Sequence, residues 1–405
     1  YDLVGNPMII RNLKTRGQKD DIDCVVALSK TGDVIMLNLA TGQPVFKNSI
    51  TNIAVPSSDI PGVKTTIFQK NYSKPEPFSG IKVELETDFN HLNHENLNFV
   101  NAKLRHAKAG LFIPPSVNYD VVFYGVHGGA EWPGGSISRN KTSTDLIVPS
   151  NRNPWIIRVF YRDKMPNDAF YQEYSAKCSD CHGSARQGHY QTELQGDEFF
   201  PPLVGLFKSE KWLSVDTVDE LKSLHQKFNI NVDIEAAIYK SMMEYFADYD
   251  LNSFKKNNLF EVGFWQLLLD KDHLPATKPP WGKITSINLN NGTKNWEIPF
   301  GDRTVDSLKT KVFGDINFGG VMTMKSGLIF ATGTPNEMAY AFDVVNGKKL
   351  WESKLPSAGS APPMGFTYRG CDLVVFTATG GKFFGYRKKG DSTIAYKLRN
   401  CIFDQ

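Results

Sequence analysis

The stretch Cys178-Ser179-Asp180-Cys181-His182 carries the most specific chemistry in this 405-residue chain. Two thiols at C-x-x-C spacing can add across the two vinyl groups of one haem, and the adjacent imidazole can then ligate the iron. The stretch therefore reads as a c-type haem attachment site, with Cys178 and Cys181 holding the haem and His182 the metal. A zinc half-site would want a second Cys/His pair, and a thioredoxin-like redox pair would want a strand–helix–strand setting; the sequence nearby supplies neither. Covalent haem would imply a periplasmic or equivalent extracytoplasmic address. Cys24, Cys371 and Cys401 are left over; Cys371 and Cys401 can pair, and spacing alone leaves that open.

Helical periodicity surrounds that stretch, with apolar residues at i, i+3 and i+4 over Phe170–Cys178, Val215–Phe228 and Ile234–Phe246. A helix entering C-x-x-C-H, a Pro-rich loop (Pro201-Pro202-Leu203-Val204-Gly205) and two further helices match the layout of a small class I cytochrome c. The flanking sequence changes period. Cys24-Val25-Val26-Ala27-Leu28 and Asp33-Val34-Ile35-Met36-Leu37 are apolar, β-branched runs around the turn Ser29-Lys30-Thr31-Gly32. Gly282–Asn288 followed by Asn291-Gly292 and Trp296 returns as Met338–Asp343 followed by Asn346-Gly347 and Trp351. The repeat is a strand, an Asn-Gly turn read as a tight two-residue hairpin, and a strand whose Trp packs between sheets. Repeated hairpin units of this size predict a β-propeller.

The expected architecture is thus mainly β: a partial propeller over 1–166 and 276–405, with a helical haem module over 167–275 inserted between blades. Residues 51–110, poor in periodicity, read as a long excursion across the propeller face. His91, His94 and His106 in that excursion read as surface polar residues, and His189 as a loop residue. The 27 Phe, 15 Tyr, 7 Trp and 33 Gly suit short strands joined by tight turns. A net charge of +3 without a long basic run argues against nucleic acid. The sequence has no apolar run of about 18 residues, so a transmembrane helix is not expected. A chain opening at Tyr1 rather than Met reads as one with sequence removed or missing upstream.

Several phrases together resemble the pyrroloquinoline-quinone (PQQ) dehydrogenases, specifically the glucose-dehydrogenase-like branch. They are Ser57-Ser58-Asp59-Ile60-Pro61-Gly62, Gly128-Gly129-Ala130-Glu131-Trp132-Pro133-Gly134-Gly135 and Pro279-Pro280-Trp281-Gly282. Asn317-Phe318-Gly319-Gly320 and Thr379-Gly380-Gly381 complete the set. The resemblance implies an eight-bladed quinoprotein propeller, of which this chain matches the C-terminal part, with an inserted cytochrome c. Outside the insert roughly 295 residues remain, which at about 40–50 residues per blade, plus the long loops between strands, make about four or five. The other blades would come from another chain or segment.

The resemblance also implies site residues. Lys30 matches the lysine that holds the quinone's carbonyl region, where a cation stabilises developing negative charge. Glu131 and Trp132 match a pocket wall, and Asn317 a turn near the cofactor. Asn336 and Lys382 stand where relatives often carry Asp and His. The catalytic aspartate would fall just before Tyr1, leaving no catalytic base in this chain, and most Ca²⁺ ligands would fall upstream too. The sixth haem ligand, in relatives a Met of a Gly-x-Met-Pro phrase, has as substitutes His225, Met242 or Met243. The expected function is a periplasmic quinohaemoprotein dehydrogenase. It would oxidise a sugar or alcohol with PQQ and pass electrons through haem c to an acceptor cytochrome or respiratory complex. The alternative is a diverged, PQQ-free propeller kept as a structural or electron-transfer subunit.

Overall fold

The computed structural model describes residues 2–16, 20–80, 82–89, 94–104, 107–161, 169–182, 189–191, 198–200, 218–226, 231–252, 260–270, 272, 274–305, 309–381, 388–397 and 401. The apolar runs at the start of the chain form a three-stranded antiparallel sheet, β1 (Leu3–Leu13), β2 (Ile22–Ser29) and β3 (Val34–Asn38). A hairpin follows, β4 (Ile50–Ala54) with β5 (Phe68–Tyr72). Helix α1 (His94–Leu104) then leads to β6 (Ala107–Ala109) and β7 (Asp120–Tyr124). The excursion over 51–110 is therefore partly regular: Val100 and Leu104 of α1 join Phe89, Val122 and Tyr124 in one core.

A second sheet is built from β8 (Gly129–Ala130), β9 (Ser136–Arg139) and β10 (Thr144–Asn151). After β11 (Pro154–Tyr161) come α2 (Ala169–Lys177), α3 (Ser179–His182), β12 (His189–Gln191) and β13 (Glu198–Phe200). Next are α4 (Val218–Gln226), α5 (Ala236–Asn252) and β14 (Phe260–Leu267). Strands β15 (Gly282–Asn288) and β16 (Thr293–Pro299) then complete the second sheet, in the order β16-β15-β10-β8. A hairpin, β17 (Asp302–Val305) and β18 (Thr310–Phe313), precedes the third sheet. That sheet runs in sequence order from β19 (Val321–Thr323) through β20 (Leu328–Ala331) and β21 (Met338–Asp343) to β22 (Lys349–Lys354). The last sheet is β23 (Met364–Tyr368), β24 (Cys371–Gly380) and β25 (Lys389–Lys397).

These four sheets stack face to face because side chains of a strand alternate between its two faces. In β10, Leu146 and Val148 enter the core shared with the first sheet, whereas Ile147 enters the core shared with the third. Ile287 and Ile284 of β15 divide the same way. The third sheet sends Ile329 and Tyr340 one way and Phe330 and Ala339 the other, onto Phe376 of the last sheet. Fully burying one such Ile or Phe stabilises the fold by about 1.5–3 kcal/mol, so each of the two inner sheets is held from both sides. At the two ends of the stack, apolar side chains are exposed: Leu3 and Ile9 on β1, and Met364, Phe366 and Tyr368 on β23.

The repeat fixes how neighbouring sheets meet. Its turn is longer than the expected two-residue hairpin: Asn288 pairs with Thr293, and only the glycine takes positive φ. The Asn38, Asn288 and Asp343 side chains each accept backbone N–H bonds from the turn they open. The glycine four residues on, Gly42, Gly292 or Gly347, has φ of +66°, +74° or +71°. The last two turns receive an aromatic ring from the preceding sheet. Phe46 lies against Gly292, and Trp296 lies against Gly347 while its indole N–H donates to the Val344 carbonyl at 3.0 Å. A Cβ at Gly347 would stand 2.8 Å from the Trp296 ring.

One expectation is corrected, that of an all-α haem module over 167–275. The chain leaves β10 at Asn151 and re-enters β15 at Gly282, and these two residues face each other in one ladder. The segment between them is not an inserted all-α class I cytochrome c. Its end is strand β14, paired along β11 in a four-stranded sheet with β7 and β6, and β12–β13 form a hairpin between its helices. The i, i+3, i+4 pattern does fall on helices, and Tyr174, Val218, Ile234, Tyr239 and Met242 share a small core. Helical periodicity reports each helix alone and leaves undecided what the segment between helices pairs with. Among the described residues no helix is long and apolar enough to cross a membrane.

The Cys371–Cys401 pair, left open by the sequence, is a disulfide with a Cα–Cα distance of 5.7 Å, tying the chain after β25 back to the start of β24. Closing a loop of 30 residues restricts the unfolded chain, a stabilisation of about 3–4 kcal/mol. Replacing both cysteines by serine is expected to lower unfolding free energy by about that amount in urea titration, and reductant should then have no further effect.

Candidate active site

The turn between β2 and β3 is locked by its own side chains. The Ser29 and Thr31 hydroxyls meet at 2.7 Å, the Thr31 hydroxyl donates to Asp33 at 2.7 Å, and the Asp33 N–H donates to Ser29 at 3.0 Å. Burial pushes the Asp33 carboxyl up to about 6, against the Thr31 hydrogen bond that favours its ionised form. So Lys30 is not the solvated hairpin lysine that its turn position suggests: it is only 3% exposed. Its ammonium donates to Glu131 Oε2 at 2.7 Å, and both side chains are 4% exposed.

Glu131 arrives there because β8 docks at the end of β10, Gly129 opposite Asn151 and Ala130 opposite Ser150. Gly129 (φ +66°) passes so near the turn that a Cβ would lie 2.5 Å from the Lys30 carbonyl oxygen. Only glycine permits both that φ and that approach. Burial drives the Glu131 carboxyl up to about 7, even though Lys30 and the Asn151 amide favour its ionised form. Its second oxygen, Oε1, is buried without a hydrogen-bond partner.

Beside this pair Trp132 is 59% exposed, with Lys30 Nζ 5.7 Å from its ring centroid. His127 packs edge-on against Trp132 (6.1 Å) and Phe318 (5.5 Å), and lies 5.1 Å from Trp155. Burial, and secondarily the Lys30 cation, hold the His127 imidazole down to about 3, so it is neutral near pH 7. Trp132, Pro133 and Phe318 line a groove of about 520 Å³ with Asn6, Met8 and Ser360. Those residues come from all four stacked sheets or the turns beside them, so the groove exists only once the sheets are stacked.

Of the residues singled out from the sequence, Lys30, Glu131 and Trp132 are brought together. Asn317 borders them through Asn151. Its N–H and side-chain amide both donate to Asn151 Oδ1 at 2.9 Å, and Asn151 returns a bond to the Asn317 carbonyl at 2.8 Å. Asn336 is occupied elsewhere, accepting from Thr334 and donating to Tyr340, both at 2.6 Å. Lys382 lies outside the described residues, as do His91 and His106. His127, Asn151 and Asn153 were missed. Their signal is polarity inside β-rich apolar sequence, at the junction Asn151-Arg152-Asn153 and beside Gly128-Gly129. Asn153 donates to the His127 carbonyl at 3.2 Å, and Arg152 pairs with Asp88 at 2.7 Å.

The C-x-x-C-H stretch winds from α2 into α3, His182 N–H donating to the Cys178 carbonyl at 2.8 Å. Cys178 is half-buried; the Cys181 side chain is not among those described. His182 is buried, and the His225 ring stands edge-on to it at 6.1 Å, its Nδ1 donating to the Leu221 carbonyl at 2.9 Å. Met242 and Met243 are packed in the small helical core.

A family profile for the "PQQ: Glucose/ethanol/alcohol dehydrogenase, beta-propeller domain" matches residues 1–219 and 235–374. Quinoprotein glucose dehydrogenase A of Acinetobacter calcoaceticus is 24% identical over 388 residues, 93% of this chain and 38% of that protein. Quinoprotein glucose dehydrogenase of Escherichia coli is 31% identical over 136 residues, 32% of this chain and 17% of that protein. The quinate/shikimate dehydrogenase (quinone) of Acinetobacter baylyi is 32% identical over 133 residues, 31% of this chain and 16% of that protein. Among solved structures, a quinohemoprotein alcohol dehydrogenase from Comamonas testosteroni aligns with 97% of this chain and 37% of its own. The TM-score is 0.41 and the identity 13%. The chain thus spans less than two-fifths of the length of these relatives.

These findings correct the cofactor expectations. The propeller profile runs through most of the segment read as a haem module, up to 219 and again from 235. Among the described residues no three His, Cys, Asp or Glu side chains gather where they could hold a metal ion. Covalent haem c on Cys178 and Cys181, iron on His182 with His225 or Met243, and a Ca²⁺ site are therefore withdrawn. Five residues at the right spacing specify which side chains share a helical turn. They do not specify the surrounding fold that a haem requires.

The two perturbed groups titrate in opposition. His127, depressed from 6.5 to about 3, costs stability as pH falls below 6.5, because the unfolded chain takes the proton that the folded chain refuses. Glu131, raised from 4.5 to about 7, contributes stability that is complete below 4.5 and lost as pH rises through 7. In His127→Gln only the second effect remains. Relative to the parent, the variant is expected to gain about 2 kcal/mol between pH 7 and pH 5 in denaturant titrations. Parallel pH profiles for the two proteins would refute the assignment.

Proposed function

The chain belongs to the β-propeller family of PQQ-dependent glucose, ethanol and alcohol dehydrogenases, and on that premise we propose that it seats the quinone of a dehydrogenase oxidising a polyhydroxylated alcohol. The observation carrying this reading is Lys30, a buried cation held 2.7 Å from Glu131 beside the exposed Trp132 indole. PQQ is flat, aromatic and polyanionic. Such a group needs a flat apolar face, a fixed cation and an open groove: Trp132 lines the 520 Å³ groove, and the buried Lys30 ammonium, though not itself part of the lining, lies 5.7 Å from the centre of that ring.

When bound, the quinone supplies the hydride acceptor. The chain's own residues bind and orient. Trp132 offers its face for stacking, and Phe318 and Pro133 keep the groove wall dry. The Lys30 ammonium lies where negative charge on quinone oxygens is favoured, and its worth is raised by the scarcity of water around it. Glu131 holds that ammonium in place, and the Asn151–Asn317 clasp holds the loop that carries Phe318. The reading gives no residue of this chain removal of the hydroxyl proton.

The names of the relatives point to the substrate class: glucose, quinate or shikimate, and glycerol dehydrogenases. All of these carry adjacent hydroxyls. Electrons would leave to an acceptor outside the chain. The apolar faces at Leu3 and Ile9 and at Met364, Phe366 and Tyr368 suit further blades of a larger propeller. The disulfide suits an extracytoplasmic address.

The test is to add PQQ to the intact protein, follow tryptophan fluorescence, and assay dye reduction with glucose, quinate, glycerol and ethanol. Quenching and polyol-dependent dye reduction are expected. Trp132→Ala should weaken PQQ binding about tenfold, and Lys30→Ala should cut turnover by about 100-fold or more. The absence of both quenching and dye reduction would overturn the proposal in favour of a PQQ-free structural propeller.

A further inference from the structure

We infer that Glu131 is a proton-accepting counter-ion that makes loading of the anionic cofactor proton-linked: as a cofactor anion takes over Lys30, Glu131 gains a proton and stays buried as a neutral acid. The inference rests on the proposed PQQ seat and adds to it what the carboxylate beside Lys30 does.

The geometry leads there. Lys30 has a single carboxylate at 2.7 Å, and both side chains are almost fully buried. An anion arriving over Trp132 would leave two negative charges competing for one ammonium away from water. Like charges in that arrangement cannot both stay ionised cheaply, and the one that can take a proton does so. The carboxylates of PQQ are strong acids that remain ionised. Glu131 is the group prepared for the proton: one of its oxygens, Oε1, is already buried without a hydrogen-bond partner, and burial favours its neutral form. Protonated, that oxygen becomes a donor and can bond a ligand oxygen. Glu131 is also poorly placed to escape to water. Its carbonyl accepts from Gly134 N at 2.8 Å, and Gly129 pins the strand before it onto the Lys30 carbonyl.

The groups facing Glu131 do not compete for this proton. Lys30 comes from the β2–β3 turn and Asn151 from the end of β10, and the amide does not titrate. His127 stays neutral because its imidazole is held at about 3. Asp33, on the same turn as Lys30, titrates near 6 and is tied to Thr31. Between pH 7 and 9 the proton balance is therefore simple: one proton leaves solvent, one O–H bond forms on Glu131, and the cofactor is chemically unchanged.

The experiment is calorimetric titration of the intact protein with PQQ at pH 8, in buffers of different ionisation enthalpy, with Kd followed from pH 7 to 9. About one proton taken up per PQQ is expected, and Kd should rise up to tenfold per pH unit. Glu131→Gln should abolish the uptake and flatten Kd across that range. Proton counting on the unsubstituted protein stands even if the variant fails to fold. PQQ binding without proton uptake, or uptake that persists in Glu131→Gln, overturns this inference and leaves the proposed function standing. No PQQ binding at any pH overturns both.

Discussion

An antiparallel sheet that is apolar on both faces cannot stand alone in water, and that constraint organises this molecule. Strand β10 feeds Ile147 to one neighbour and Leu146 and Val148 to the other. The sheet it belongs to must therefore be sandwiched, and so must the next. Burial alone would leave sliding and rotation between sheets undetermined. Aromatic rings on turn glycines remove that freedom for the first three sheets: Phe46 on Gly292 and Trp296 on Gly347 place the second and third sheets at a fixed offset from the one before. Packing a rigid ring against a backbone without Cβ is specific in the way that aliphatic contacts are not.

The site is a product of that offset. Asn6 and Met8, Trp132, Phe318 and Ser360 belong to four successive sheets or their connections, yet line one groove. At its edge the fold tolerates a costly arrangement. An ammonium and a carboxylate share a nearly dry space, and the carboxylate has one oxygen left without a partner. For stability alone an apolar pair would do as well. A locked turn and a glycine that no other residue can replace hold the charged pair in register instead. Such investment is what a binding site for charge needs, since preorganised groups need not reorganise when the ligand arrives.

The excursion from Asn151 to Gly282 shows how a sheet can be interrupted without being broken. The two residues remain opposite one another in the ladder, so the interruption costs chiefly the entropy of closing a long loop, which grows only slowly with length. The residues next to that gap, Asn151, Arg152 and Asn153, are the ones that tie the groove to the excursion, through Asn317, Asp88 and His127. Here a break in the sheet and the polar groups of the site coincide.

Alternating apolar runs, the repeated Asn/Asp-to-Gly turn and its aromatic partner were legible in the amino-acid order, because strand period and turn chemistry are local properties. So was the grouping of Lys30, Glu131 and Trp132, although by likeness to a family rather than by their spacing. The helices around Cys178 and His182 were legible for the same local reason, and the module inferred from them was not. Whether a helical segment closes into a haem cup or shares a sheet through β14 depends on pairings with β11, a hundred residues upstream of it. The burial of Lys30, the offset titrations of His127 and Glu131, and the fate of Asn317 were likewise settled only in three dimensions. Each depends on which distant backbone excludes water from a side chain, and no local pattern encodes that.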